Sequence, residues 1–484
     1  MIPTPLTDVV RITGARVEGT PIAGAVTAAV EVDSRLIRPG GLYVALPGER
    51  SDGHDHAAAA VTAGAVAAIV ARPVDGVPCL VVDDPLQAMQ ALARALYDTG
   101  DLYDTGERPL TFGITGSSGK TSTKDLLATV LAAAGPTLSP PGSFNNEVGL
   151  PLTALRRESD TRFVVLEYSA RGVGHIAFLR DIVRPDAATV LNIGSAHLGE
   201  FGSRANIARA KGELVEAGPG GGCSLCVLNA DDPLVLALAG RASGTVVTFG
   251  TGPDADYRAE GVELDDSGRA RFVLVTPSGG RADVALRLRG EHQVGNALAV
   301  AANVLGTGVW SDASAVAELL SAAEPVSAWR MEVTERADGV TVVNDAYNAN
   351  PESMRAALKT LAVMSRGKQR RTIAVLGLMA ELGDDARDAH MDLGRFVVRL
   401  DIAQLVVVGP EAGGIHAGAV LEGSWGDESI HVPDVDAAVA LLRSELAPGD
   451  VVLVKASRSA GLERVAAALV DATLTGSDPM EPAP

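Results

Sequence analysis

Residues Gly113 to Thr123 read GITGSSGKTST, and they decide the fold. The stretch continues a β-forming run that starts at Leu110. It leads into KDLLATVLAAA, a helical pattern. Strand, glycine-rich turn and helix in this order gather backbone N–H groups and the positive end of a helix around one point. Such a point holds phosphate. Lys120 can neutralise β- and γ-phosphate oxygens, and Thr121 offers a hydroxyl to Mg²⁺. Gly116, Ser117, Ser118, Gly119, Lys120, Thr121 and Ser122 are the expected ATP contacts. The spacing is a variant, T-G-x-x-G-K-T-S-T, because Ile114 stands where the usual loop has its first glycine. The bland alternative is a glycine turn with an incidental lysine, and the order of elements disfavours it. The loop alone does not separate ATPase, kinase, GTPase and ligase. The chain shows no Asn-Lys-x-Asp guanine-reading motif, which disfavours a GTPase.

Outward from the loop, strands and helices alternate. At 484 residues the chain fits two or three domains. Hydrophobic residues make up 47 % and aromatics only 4 %, which suits small-aliphatic cores between parallel strands and helices. Strands are expected at 42–46, 67–70 and 79–82, with helices at 57–64 and 85–97. The polar stretch 98–109 reads as a linker. A second α/β region has strands at 110–114, 163–166, 188–192 and 226–228, and a helix at 296–305. Alternating patterns between 247 and 288 predict a small antiparallel sheet. A third, Rossmann-like unit has strands at 331–333, 341–344, 373–376, 405–408 and 451–454. The expected domains are 1–104, 105–325 and 326–484, with a disordered tail from Thr475.

The net charge of −19 repels phosphate backbones, so nucleic-acid binding is excluded as a general role. Any polyanionic ligand must be held by local devices. Three cysteines, Cys79, Cys223 and Cys226, argue against a disulfide framework. The C-x-x-C pair reads as two small residues entering a buried strand. The N-terminus lacks a signal-peptide pattern, and no apolar run is long enough to span a bilayer. A soluble cytoplasmic protein is expected, without membrane insertion. A monomer is expected because no coiled-coil or long exposed apolar segment is present.

Several further stretches, in order, resemble the Mur ligase family. They are DSRLIRPGGLYVALPGERSDGH (Asp33 to His54), the phosphate loop, GSFNNEVGLPLTAL (Gly142 to Leu155), RPDAATVLNIGSAHLGEFGS (Arg184 to Ser203), ARAKGEL (Ala208 to Leu214), NDAYNANPESM (Asn344 to Met354) and VKASRSAGLE (Val454 to Glu463). The match is strongest to the branch that adds D-alanyl-D-alanine to UDP-N-acetylmuramoyl-tripeptide. The resemblance implies three α/β domains: an N-terminal uridine-nucleotide domain, a central ATPase domain and a Rossmann-like C-terminal domain. It implies an ADP-forming amide ligase of peptidoglycan synthesis that works through an acyl-phosphate.

The resemblance also implies roles. Glu167 and His197, with Thr121, would hold magnesium, in two sites. Read alone, a strand-end Glu is more often a cap, and a lone His a structural imidazole. Lys211 resembles a family lysine carbamylated by CO₂, which would make it a further metal ligand; read alone it is a solvated helix residue. Lys120, Lys211 and His197 are the expected catalytic set. Asn145, Asn146 and Arg171 would meet the muramoyl substrate, and Ser34 and Arg35 its UDP moiety. Asn296, Asn348 and Asn350 are candidates for the adenine region, Arg330 for the γ-phosphate and Asp345 for the ribose.

Three family motifs are altered. Glu-Met-Gly is Glu167-Tyr168-Ser169, Gly-Glu-Met is Gly377-Leu378-Met379, and the second residue of His-Asn-x-x-Asn is Gln293. These departures leave open a paralogue acting on other acids and amines. A folylpolyglutamate synthase shares the loop but not the Asp33 region or NDAYNANP. A catalytically inactive nucleotide-binding protein would have no chemical need for the intact Lys120, Thr121, Glu167, His197 and Lys211. A dehydrogenase reading of the third unit lacks a G-x-G-x-x-G loop.

Overall fold

The computed structural model describes residues 1–48, 51–98, 108–195, 198–366, 370–423 and 428–471. The expected linker lies mostly at 99–107, and the first domain boundary and the tail fall there and beyond 471, outside the described residues. The chain forms three α/β units in sequence, as expected.

The central sheet has nine strands. Its parallel heart is Leu110–Thr115, flanked by Phe163–Glu167 on one side and by Ala187–Val190, then Leu225–Asn229 and Thr245–Gly250, on the other. Alternation sorts each strand between two cores. Phe163 and Val165 face the helices Lys120–Ala132 and His292–Gly306, where Leu127, Val130 and Leu298 are fully buried. Val164 and Leu166 face the opposite core, with Ile176, Leu179 and Ile207. That second core also takes in Met89 and Leu92 of the N-terminal helix Pro85–Asp98, so the first unit packs on the central sheet.

The antiparallel segment expected between 247 and 288 is present. Tyr257–Leu264, Arg269–Val275 and Arg281–Arg289 form a meander that continues the edge of the main sheet. Phe272, Leu274, Val284 and Leu286 point inward, and the alternate residues are more exposed. The N-terminal unit has a five-stranded sheet, parallel except at Arg16–Glu18. The C-terminal sheet has six strands, parallel except at Glu332–Glu335. Among the described residues no helix is long and apolar enough to cross a membrane.

Most elements fall within a residue or two of expectation; the helix expected at 296–305 starts four residues earlier, at His292. The strand expected at 331–333 instead begins at Glu332. Met331 has φ of 51° and Trp329 φ of 60°, left-handed values for bulky residues that turn the chain sharply before the strand. The expected helix at 57–64 ends at Thr62.

One close approach fixes the phosphate-loop strand. A Cβ on Gly113 would lie 2.9 Å from both Pro185 Cβ and Tyr168 Cε2. Gly113→Ala is expected to destabilise the protein by about 1–3 kcal/mol, as overpacking does. Thermal unfolding followed by circular dichroism should show a lower midpoint; an unchanged midpoint would mean that the Tyr168 ring moves freely.

Candidate functional site

The phosphate loop opens at the C-terminal end of Leu110–Thr115, where the helix Lys120–Ala132 starts. Gly119 adopts φ of 81°, and a Cβ there would meet Asn296 Oδ1 at 2.7 Å. Asn192, from the end of the neighbouring strand, clamps the loop. Its Oδ1 accepts from Ser118 N at 2.9 Å, and its Nδ2 donates to Ser118 O at 3.1 Å. Lys120 Nζ donates to Gly116 O at 2.7 Å. Thr121 Oγ1 lies 3.0 Å from Ser143 Oγ, which also accepts from Arg330 Nη2 at 3.1 Å.

These groups line a cavity of about 400 Å³. Ser117, Ser118, Gly119, Lys120, Thr121, Ser122, Asn145, Asn146, Glu167, Arg171, Asn296, Arg330, Asp345, Asn348 and Asn350 are all on its wall. Gly116 is buried beneath it and accepts from Lys120. Ser34 and Arg35 lie instead on the N-terminal unit, where Arg35 is 86 % exposed and pairs with Asp33 at 2.6 Å. His197 lies outside the described residues.

Glu167 ends a fully buried strand. Its Oε2 accepts weakly from Asn145 Nδ2 at 3.4 Å, while Oε1 is buried without a protein partner. A buried carboxylate oxygen left bare beside Thr121 is a suitable magnesium ligand, since Mg²⁺ takes few carboxylates and completes its shell with water and phosphate. Lys211 is 3 % exposed on the helix Arg204–Gly212. Burial, then repulsion from Lys120, pushes its pKa well below that of an ordinary lysine. Desolvation also lowers Lys120; nearby Glu167 opposes the shift and Arg330 adds to it.

The C-terminal unit supplies the opposite wall. The helix Pro351–Arg366 starts with a reciprocal cap: Ser353 N donates to Asn350 Oδ1 at 2.8 Å, and Asn350 N donates to Ser353 Oγ at 3.1 Å. This cap aims Asn350 Nδ2 at Ser117 O, 3.2 Å away. Asp345 accepts from Met331 N at 3.0 Å and pairs with buried Lys455 at 2.6 Å. The Arg330 guanidinium stacks over Tyr347, 4.3 Å from its centroid. A second cavity of about 550 Å³ shares Asn192, His292, Asn296, Glu352 and Ala356 with the first and adds Phe249 and Lys359.

Three family models cover these units: "Mur ligase family, catalytic domain" at residues 26–97, "Mur ligase middle domain" at 114–304 and "Mur ligase, glutamate ligase domain" at 329–458. The chain belongs to the Mur ligase family. It is 50 % identical to the UDP-N-acetylmuramoyl-tripeptide--D-alanyl-D-alanine ligase of Mycobacterium tuberculosis, over 93 % of this chain and 94 % of that one. A crystal structure of MurF from Acinetobacter baumannii matches with a TM-score of 0.83 at 31 % identity, covering 97 % of this chain and 99 % of that one. MurF ligase from Thermotoga maritima in complex with ADP matches with a TM-score of 0.76 at 29 % identity, covering 91 % and 96 %.

The altered Mur motifs have local reasons. Tyr168 turns into the core and donates to Val183 O at 2.6 Å. Gln293 Oε1 accepts from Asn296 Nδ2 at 2.8 Å, so it holds the asparagine beside the phosphate loop. Leu378 is half-buried, and its carbonyl accepts from Ser457 N at 2.8 Å. Sequence reading missed Asn192, Ser143 and Lys455. Each lies inside a quoted motif, but its role depends on a partner from a distant segment.

Glu167→Gln keeps the shape and removes the charge. It is expected to lower kcat by roughly 10²–10³-fold, as loss of one preorganised electrostatic group does. A titration of activity with Mg²⁺ should shift to higher concentration while the far-ultraviolet circular dichroism stays unchanged. Unaltered Mg²⁺ dependence would remove Glu167 from the metal site.

Proposed function

We propose that this chain is the ATP-dependent ligase that joins D-alanyl-D-alanine to UDP-N-acetylmuramoyl-tripeptide in peptidoglycan precursor synthesis. The observation that carries the reading is one cavity holding Lys120, Thr121, Glu167 and Arg330, with buried Lys211 within electrostatic reach of Lys120. The likeness to the mycobacterial ligase along nearly the whole chain supports the substrates.

A carboxylate is a poor electrophile. Transfer of the ATP γ-phosphoryl group to one carboxylate oxygen of the tripeptide gives an acyl-phosphate and ADP. The amine of D-alanyl-D-alanine then attacks the acyl carbon, the C–O bond to phosphate breaks, and the amine loses a proton as phosphate leaves. The protein supplies position and charge. The phosphate-loop amides and Lys120 hold the β- and γ-phosphates, and Arg330 reaches the same oxygens from the other wall. Asn145, Asn146 and Arg171 face the acceptor. The second cavity, which shares Asn192 and Asn296 with the first, takes the base. Asp345, held by Lys455 and Met331, faces the ribose. Ser34 and Arg35 would meet the uridine nucleotide.

Magnesium, held by Glu167, Thr121 and His197, would neutralise phosphate charge. Lys211 suits carbamylation, because its depressed pKa leaves more neutral amine to add to CO₂. A carbamate there would replace a repelling cation with an anion. The working boundaries are residues 1–104, 105–325 and 326–484. A monomer is expected, since the sequence shows no coiled-coil or long exposed apolar segment. A need for ATP and a UDP-linked precursor supports a cytoplasmic location.

Phosphate release from ATP is expected only with Mg²⁺ and both substrates, with the amide product seen by mass spectrometry. ATP binding without release under these conditions would reject these substrates and favour a paralogue. Separately, protein equilibrated with ¹³C-bicarbonate should show a carbamate carbon resonance that disappears in Lys211→Arg. Identical spectra for the two proteins would remove the carbamate from the mechanism.

A further inference from the structure

Glu352 is on the wall of both cavities but has no role in the reading above, and it makes a two-point contact between units. It lies in the first turn of Pro351–Arg366, a start fixed by Pro351 and the Asn350–Ser353 cap. From there its carboxylate crosses to the central unit. Oε1 accepts from Ser195 N at 2.8 Å, and Oε2 accepts from Ser195 Oγ at 3.1 Å. The neighbouring residue is cut to fit. A Cβ on Gly194 would lie 2.7 to 2.9 Å from the carboxyl carbon and both of its oxygens. Gly194 has no positive φ, so close approach, and not backbone conformation, is what calls for glycine there.

The segment that Glu352 grips also shapes the phosphate loop. Gly194 N donates to Ser117 Oγ at 2.8 Å, and Asn192 makes the two-way contact with Ser118. A first-turn glutamate has a local use, since it complements the positive end of its own helix. That use does not need a reach across the interface or a missing side chain opposite. An anion near a phosphate site is repelled by the ligand unless donors hold it, and the Ser195 N–H and O–H are those donors.

We propose that Glu352 is a positioning residue for phosphoryl transfer. It docks the C-terminal unit onto the segment 192–195 and so sets the phosphate loop in its working shape only when that unit is in place. The proposal rests on the ligase reading for its kinetic consequence, but the docking itself does not depend on which substrates are used.

The test compares the wild type with Glu352→Gln, Glu352→Asp, Ser195→Ala and the double variant Glu352→Gln/Ser195→Ala. Glu352→Gln is expected to lower kcat roughly 10- to 100-fold, the scale of one charge-assisted hydrogen bond. The affinity for the UDP-linked acceptor and the thermal midpoint should stay at wild-type values. Glu352→Asp, which keeps the charge with a shorter reach, should recover part of the loss. The double variant should lose less than the product of the two single losses, because both remove the same contact. Small-angle X-ray scattering with a non-hydrolysable ATP analogue gives a substrate-independent readout, in which Glu352→Gln should stay more extended than the wild type. If the wild type is inert on the proposed substrates but this difference in scattering appears, the substrate reading fails and the docking role stands. The positioning role is overturned if Glu352→Gln compacts like the wild type, if its kcat stays within twofold, or if lost activity tracks a lowered midpoint.

Discussion

Cations gathered around one cavity repel each other, and much of the structure near the phosphate loop serves to hold them there. Lys120, Arg330 and Lys455 line the cavity, and Lys211 is buried close enough to be depressed by Lys120. The chain as a whole is acidic, with a net charge of −19, so this cluster is a local construction. The three on the cavity wall are tethered separately. Lys120 is tied to the Gly116 carbonyl, Lys455 to Asp345, and Arg330 to Ser143 and the face of Tyr347. Desolvated positive charge costs free energy until an anion arrives. A triphosphate would relieve that cost.

The cations come from two units. Here the C-terminal unit brings Arg330 and Lys455, and it is reached through a bent connection. Trp329 and Met331 both take left-handed backbone conformations, each worth about 1–3 kcal/mol of strain. Local contacts hold the bend. Arg458 stacks over Trp329 at 4.1 Å, Trp329 N donates to Glu332 Oε2 at 3.0 Å, and Met331 N donates to Asp345 Oδ1 at 3.0 Å. The contact from Met331 uses the carboxylate that also neutralises Lys455. The bend and the charge arrangement therefore stand or fall together.

Local patterns carried most of the fold. Leu110–Thr115, Phe163–Glu167 and Val451–Lys455 are mostly apolar runs because parallel strands are buried on both faces, and such runs are readable without partners. The phosphate loop was legible for the same reason, since glycine, lysine and threonine act within a few residues of each other. The meander after Thr245 was visible as alternation, but its attachment to the main sheet was not, because it rests on two parallel pairs, Phe249 with Tyr257 and Gly250 with Arg258, too few to leave a pattern. Met331 was read into a strand because a positive φ at methionine leaves no composition signal. Asn192 and Glu352 were missed because their partners, Ser118 and Ser195, lie 74 and 157 residues away.

The altered motifs show how a site tolerates substitution when its atoms, and not its letters, are counted. At Tyr168 the main chain still donates to Ile114 O at 2.8 Å and keeps Glu167 in register, while the ring leaves the cavity for the space above Gly113. Next to it, Ser169 N donates to Asn145 O at 3.0 Å, which ties the asparagine loop to the strand end. At residue 293, glutamine supplies an amide oxygen to Asn296 from one methylene farther out than the family asparagine. Helical spacing of three residues puts the two side chains on one face, so the longer reach is absorbed within the helix. Neither change removes a donor or acceptor from the groups that would meet phosphate. The chemistry of transfer depends on those groups, which is why these substitutions can accumulate around the site without altering the reaction it supports.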